Sequence, residues 1–330
     1  MAVGAVVVLV LGVVLIGYVV PRLSGGSEVT TVGAFEVAGG PVENLEVSPQ
    51  GDEVAVVSRA GLSVCTLPQG ACRLVTDSAL VSHTFPTVAF SPDASLVVVN
   101  ATSTVQVWDV RSGALRASVP EFTPGSTYRA AAFSPDGKQV AVVDEQHVWV
   151  VDLADPHTGR PLRTGLFGVG LPLFRFGPDG TWLVCMDRYA QGVVVFDART
   201  GATLRVIDQG DGVIIAALSR DTRTVVTHGV GNIRRFDTGT GRQIGAPVTD
   251  GAPTPGRAGP IAISPDGSRV AEAVAGGGVL VWDTRSGRRV GRPLTYHPRF
   301  DGPLTALSFT PDGRRLVGDM LGTVVEWRAR

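Results

Sequence analysis

Phe133-Ser134-Pro135-Asp136-Gly137 decides the fold, because close copies of it recur almost to the end of the chain. Pro-Asp-Gly returns intact at Pro178-Asp179-Gly180, Pro265-Asp266-Gly267 and Pro311-Asp312-Gly313. Weaker copies stand at Pro49-Gln50-Gly51, Pro92-Asp93-Ala94 and Arg220-Asp221-Thr222. The proline-equivalent positions are 49, 92, 135, 178, 220, 265 and 311, so the spacings are 43, 43, 43, 42, 45 and 46 residues. Seven copies at a near-constant period mark a repeat architecture, in which each copy is one supersecondary unit.

The third copy shows the unit. Ala130-Ala131-Ala132-Phe133 is a short apolar run that ends at Ser134. Pro135 presets φ for a type I turn and Gly137 supplies a left-handed residue, which together predict a three-residue hairpin with a bulge. Val140 to Val143 then reads as a second strand and His147 to Val151 as a third. The second copy adds the turn Trp108-Asp109-Val110-Arg111-Ser112-Gly113 and Leu115 to Val119 as a fourth strand. Four short strands with tight connections need about 40 residues, which matches the period. Such a meander has two apolar faces; packing copies radially buries both and predicts an all-β, seven-bladed β-propeller of four-stranded antiparallel blades.

The third strands end in an aromatic-Asp or aliphatic-Asp pair: Trp108-Asp109, Val151-Asp152, Phe196-Asp197, Phe236-Asp237 and Trp282-Asp283. With the Pro-Asp-Gly turns, these pairs resemble the WD-repeat family in its bacterial form, over residues 29–330. The family's Gly-His pair is nearly absent, with His83 the one remnant, and its turn Asp between the second and third strands is mostly missing. The hydrogen-bonded network of the family is therefore not expected in full. The resemblance also implies that the spare strand at residues 30–37 supplies the outer strand of the last blade, since the chain stops after Val324-Val325-Glu326-Trp327.

Composition agrees with short strands and tight turns: apolar residues make up 44%, and Gly (42) and Pro (22) are abundant. Net charge is −1, so no nucleic acid is expected as a partner. Lys138 is the sole lysine among 29 basic residues, a skew that reads as coding bias. Cys65, Cys72 and Cys185 form neither a metal pattern nor a disulfide framework. With Gly70 as a bulge residue, Thr66 faces Cys72 and Cys65 faces Arg73, so the two thiols are expected to point apart.

Ala2 to Val20 is an unbroken run of 19 uncharged, mostly aliphatic residues. As a helix it would span roughly 28 Å, close to the hydrocarbon thickness of a bilayer. Residues 1–21 are therefore read as one N-terminal transmembrane anchor, with the membrane entered through residues 2–20, and residues 22–28 as a flexible linker. A cleaved signal peptide is the rival reading, disfavoured because no Lys or Arg precedes the run and no small-x-small site follows it. Arg22 on the C-terminal side argues for a cytoplasmic propeller. The position of the segment ahead of a soluble domain argues for the extracytoplasmic side, which is the expectation kept.

Alternate connections of a meander emerge on one face, so the Pro-Asp-Gly and Asp-x-x-x-Gly turns share a face and the remaining loops share the other. The turn face carries Arg111, Arg199, Arg242, Arg285 and Arg314 among Asp residues, which read as solvated turns. The loop face collects Tyr128-Arg129, Arg188-Tyr189 and Tyr296 with Arg299, a Tyr/Arg composition suited to a protein-binding rim. Glu46 and Arg175 replace the Ala found at the same inner-strand position in four other copies, and are candidate charges of the central channel. No nucleophile–base–acid set is legible, and the five histidines show no metal spacing. No cofactor is expected. The sequence points to a non-catalytic scaffold or sensor module with an unidentified protein partner. The alternative is a ligand-binding or enzymatic propeller, lactonase-like or quinoprotein-like, that uses its channel.

Overall fold

In a computed structural model, the residues described are 31–77, 87–100, 103–144, 146–164, 173–187, 192–208, 210, 215–229, 232–248, 259–274, 278–295, 304–320 and 322–329. Within them every regular element is a strand. The anchor and linker expected over residues 1–28 lie outside the described residues, and no helix among the described residues is long and apolar enough to cross a membrane.

A first strand, β1 (Thr31–Glu36), precedes the repeats. Blade 1 comprises β2 (Val42–Val47), β3 (Glu53–Ser58), β4 (Gly61–Thr66) and β5 (Cys72–Asp77). Blade 2 comprises β6 (Val88–Phe90), β7 (Leu96–Asn100), β8 (Val105–Asp109) and β9 (Leu115–Val119). Blade 3 comprises β10 (Ala130–Phe133), β11 (Gln139–Val143), β12 (His147–Asp152) and β13 (Gly159–Thr164). Blade 4 comprises β14 (Phe174–Phe176), β15 (Trp182–Asp187), β16 (Gly192–Asp197) and β17 (Thr203–Ile207). Blade 5 holds β18 (Ile215–Leu218), β19 (Thr224–His228) and β20 (Ile233–Asp237). Blade 6 holds β21 (Ile261–Ile263), β22 (Arg269–Val274), β23 (Gly278–Asp283) and β24 (Leu294–Thr295). Blade 7 is built from β25 (Leu304–Phe309), β26 (Arg315–Met320) and β27 (Thr323–Arg328), with β1 as its fourth strand.

All pairings are antiparallel; blades 1 to 6 are meanders in chain order, and blade 7 runs β25-β26-β27-β1. The alternating side chains of each strand face the two neighbouring blades. Ala131 and Phe133 pack toward blade 2 with Ala89, Val98 and Val107. Ala130 and Ala132 pack toward blade 4 with Leu183 and Val184. Val47 and Val54 meet Val317 and Val324 of blade 7, so the apolar contacts run right round the ring. Burial of these Val-rich faces is the main driving force.

β1 closes that ring. It pairs with β27 from Thr31↔Trp327 to Glu36↔Thr323. Its Thr31 end therefore lies beside Trp327 and Arg328, at the face that carries the Pro-Asp-Gly turns.

Blade 5 departs from four regular strands. Residues 243–248 touch β20 only through isolated bridges, Phe236↔Gln243 and Ile233↔Val248. Gly245 lies at φ +74 and Pro247 has no N–H, so the segment bulges instead of laddering. Blade 6 repeats the device with Gly291 at φ +68 and Pro293, which leaves β24 two residues long. Broken outer strands of this kind discourage edge-to-edge pairing with another chain.

The cysteine expectation is corrected by the register. Thr66 N donates to Ala71 O, and Gly70 N donates to Thr66 O. Both bulge residues, Gly70 and Ala71, thus oppose Thr66, and the next pair down the ladder is Cys65↔Cys72. The two cysteines form a disulfide with their Cα atoms 3.9 Å apart. Cys185 is buried and lies outside it.

Candidate functional site

Six of the seven Pro-Asp-Gly-type turns use a hydroxyl placed just before the proline position. Ser91, Ser134, Ser219 and Ser264 each donate to the following turn Asp at 2.6–2.7 Å. Thr310 donates to Asp312 at 2.6 Å. The same oxygens accept the backbone N–H five residues on, as when Gln139 N donates to Ser134 Oγ at 2.9 Å. Ser134 N also donates to Gln139 O, so Ser134 and Gln139 close a four-residue loop where a three-residue hairpin was expected. The Ser91 and Ser134 hydroxyls hold Asp93 and Asp136 below the usual carboxylate range. In blade 4 the position is Gly177, because the Trp182 ring fills the space a side chain would need. These carboxylates are occupied in shaping the turn face, and Arg111, Arg199, Arg242, Arg285 and Arg314 stand exposed among them.

On the loop face, buried polar residues tie the loops down blade by blade. Asp144 Oδ2 accepts from Thr123 Oγ1 at 2.8 Å and Trp149 Nε1 at 3.3 Å, while Oδ1 accepts the amides of Gln146 and His147. His147 Nδ1 lies 3.2 Å from Thr123 Oγ1. The Thr123 hydroxyl donates to Asp144, so this Thr–His–Asp group ties a loop down. Asp319 does the same in blade 7, accepting from Thr305 Oγ1 at 2.8 Å and Gly322 N at 3.0 Å. In blade 2 the role falls to Asn100, whose Nδ2 donates to Tyr128 O at 3.0 Å. Sequence reading missed these because the polar residue changes type from blade to blade.

Tyr128 is not exposed as a rim residue would be. Its side chain is 3% exposed, packs with the cluster between blades 2 and 3, and its hydroxyl donates to Pro120 O at 2.7 Å. Arg129 beside it is half-buried. Arg188, Tyr189, Tyr296 and Arg299 lie outside the described residues.

Glu46 and Arg175 are brought together. They sit on β2 and β14, the innermost strands of blades 1 and 4, at the positions held elsewhere by Ala89, Ala132, Ala217, Ala262 and Ser308. Those short side chains leave room for two long ones to meet across the axis. Arg175 Nη2 and Glu46 Oε1 are 2.8 Å apart, so an ion pair spans the channel between non-adjacent blades. The side chains remain 46% and 16% exposed. Burial raises the Glu46 carboxyl above its ordinary value although Arg175 opposes it, followed by Arg220. Arg220 stands where six other turns have Pro or its equivalent, on the rim above this pair; sequence reading passed over it as a weak turn copy.

A second buried pair lies between blades 5 and 6. His228 Nδ1 is 3.2 Å from Glu272 Oε1, and both residues are buried. Burial pushes Glu272 up to about 8 and His228 below its ordinary value. Among the described residues, no group of three or more His, Cys, Asp or Glu side chains is arranged to hold a metal ion.

No protein-family model matches the chain, and no curated protein matches it. Among solved structures the chain is similar to the β-propeller domain of Cps50 (Swd1) from Myceliophteria thermophila. The TM-score is 0.71 at 15% identity, over 90% of this chain and 100% of that one. At that identity the likeness establishes the propeller fold alone.

Proposed function

We propose that the protein is a non-catalytic, WD-repeat-like interaction scaffold, tethered to a membrane by residues 2–20, that presents its loop face to a protein partner. The observation that carries this reading is the position of the chain's entry into the ring. Thr31 lies beside Trp327 at the turn face. Ten residues, 21–30, separate it from the apolar stretch and reach at most about 35 Å when extended. A tether of that length attaches at the turn face, and in this reading the turn face is the side nearer the bilayer and the loop face is turned outward. The Cys65–Cys72 disulfide supports the extracytoplasmic side, where such bonds form and persist.

A photo-crosslinking residue placed at exposed Gln146 on the loop face, and another at exposed Lys138 on the turn face, tests the reading in intact membranes. A discrete protein adduct from position 146 and none from position 138 is expected. Adducts from position 138 alone would reverse the orientation and reject the proposal. The second reading, a channel that binds a ligand, is favoured by one observation: the Glu46–Arg175 pair lies across the axis.

A further inference from the structure

The mouth of the channel on the turn face is ringed by the proline positions of the seven turns. Prolines of one turn abut the glycine of the next, as Pro311 does Gly51, Pro135 does Gly180 and Pro265 does Gly313. The fifth position breaks the ring with Arg220, which is exposed. Beneath it, Arg175 already reaches across the axis to Glu46. Arg220 is close enough to interact electrostatically with both. Two guanidinium groups and one carboxylate therefore converge at one end of the channel, with an excess of one positive charge. The second oxygen of Glu46, Oε2, is buried without a hydrogen bond of good geometry, so the carboxylate is an imperfect partner for the cations around it.

We propose that the turn-face mouth of the channel is an anion subsite, in which Arg175 and Arg220 take a carboxylate or phosphate and Glu46 is the internal group that the ligand displaces. Guanidinium groups suit this chemistry because their donors match the two oxygens of a carboxylate or phosphate. Glu46 stands in for the ligand in its absence, neutralising Arg175 and keeping the mouth closed. This goes beyond the scaffold reading and does not depend on it.

The test is calorimetric titration of the full chain in detergent with three probes: inorganic phosphate, acetate, and an end-blocked triglutamate peptide. Saturable binding of at least one probe is expected. Glu46→Gln removes the competing charge and should tighten that probe by about tenfold, while Arg220→Ala should weaken it by about tenfold, the scale of a charge-assisted hydrogen bond. Binding of phosphate or acetate would assign the site to a small anion; binding of the peptide alone would assign it to a partner's carboxylate. Since Arg220 is exposed and Glu46→Gln is nearly isosteric, both variants should keep the wild-type melting profile, which is measured alongside. Absence of binding by all three probes to wild type and Glu46→Gln overturns the proposal, as does binding that neither substitution alters. Loss of the anion site with the adduct at position 146 retained would refute this inference and leave the scaffold reading standing.

Discussion

Ala94 and Thr222 adopt φ +59 and +58, at the position where the other five turns have Gly. The left-handed region costs a non-Gly residue about 1–2 kcal/mol, offset in part by the greater freedom that Gly has when unfolded. Ala94→Gly should therefore stabilise the protein by about 1 kcal/mol in chemical denaturation, and a destabilised variant would contradict the turn geometry. Glu272 makes a pH prediction. Its folded value of about 8 lies above its ordinary 4.5, so its contribution is fully present below about pH 4.5 and is lost as pH rises through 8. His228 is shifted down, so its contribution is present above its ordinary 6.5 and is lost as pH falls below it. Melting temperature should thus fall between about pH 6.5, where the His228 contribution is complete, and pH 8, and Glu272→Gln should flatten that limb. An equal fall in both proteins would show that the buried pair is not its cause. Neither residue stands out in the sequence, because their meeting depends on two different blades.

At the scale of the element, strand positions were legible because each hairpin carries its own instructions: Pro or Gly at the turn, Val in the ladder. Ala130–Phe133 and Leu115–Val119 were read with the bounds that the structure shows. The hydroxyl before the proline was quoted in one copy only, as Ser134, and its part in wiring the turn needs three dimensions. The cysteine register failed for a local reason, since one extra residue in the bulge shifts every pair beyond it. The disulfide also bears on closure. The ring of Phe35 on β1 packs over Gly70, and Pro68 lies against Gly33, so the tied turn 66–71 supports the closing strand. Reduction, or Cys72→Ser, should cost about 2 kcal/mol by loop entropy. It should also speed proteolysis at residues 31–37 more than elsewhere. Unchanged protection of that strand would separate the disulfide from closure. The arginine skew, read from sequence as coding bias, has structural employment between blades. Arg160 donates to Arg199 O and Ala198 O, Arg205 to Thr238 O, Arg269 to Ala329 O and Arg315 to Gly51 O. Lysine cannot reproduce the two-pronged contact of Arg160.

At the scale of the whole molecule, seven copies at a steady period made the architecture readable without any single strong motif. The site was less readable, because a channel gathers residues that are far apart in sequence. Glu46 and Arg175 were visible as departures from a repeated Ala, whereas Tyr128 looked like a loop residue and is enclosed by the cluster between blades. The ring is held as a unit through β1, so removal of residues 30–37 should replace one cooperative melting transition with a broad, earlier one. A profile unchanged by that deletion would contradict closure by this strand. The central functional claim is that the propeller is tethered at its turn face on the oxidising side of a membrane. The most direct measurement is a C-terminal reporter, on a flexible linker after Arg330, that is active on one side of the membrane only. Activity on the extracytoplasmic side is predicted, with envelope or extracellular proteins as the partners to test. Activity in the cytoplasm would contradict the account, vindicate Arg22 as the orienting charge, and leave the disulfide without a compartment that maintains it.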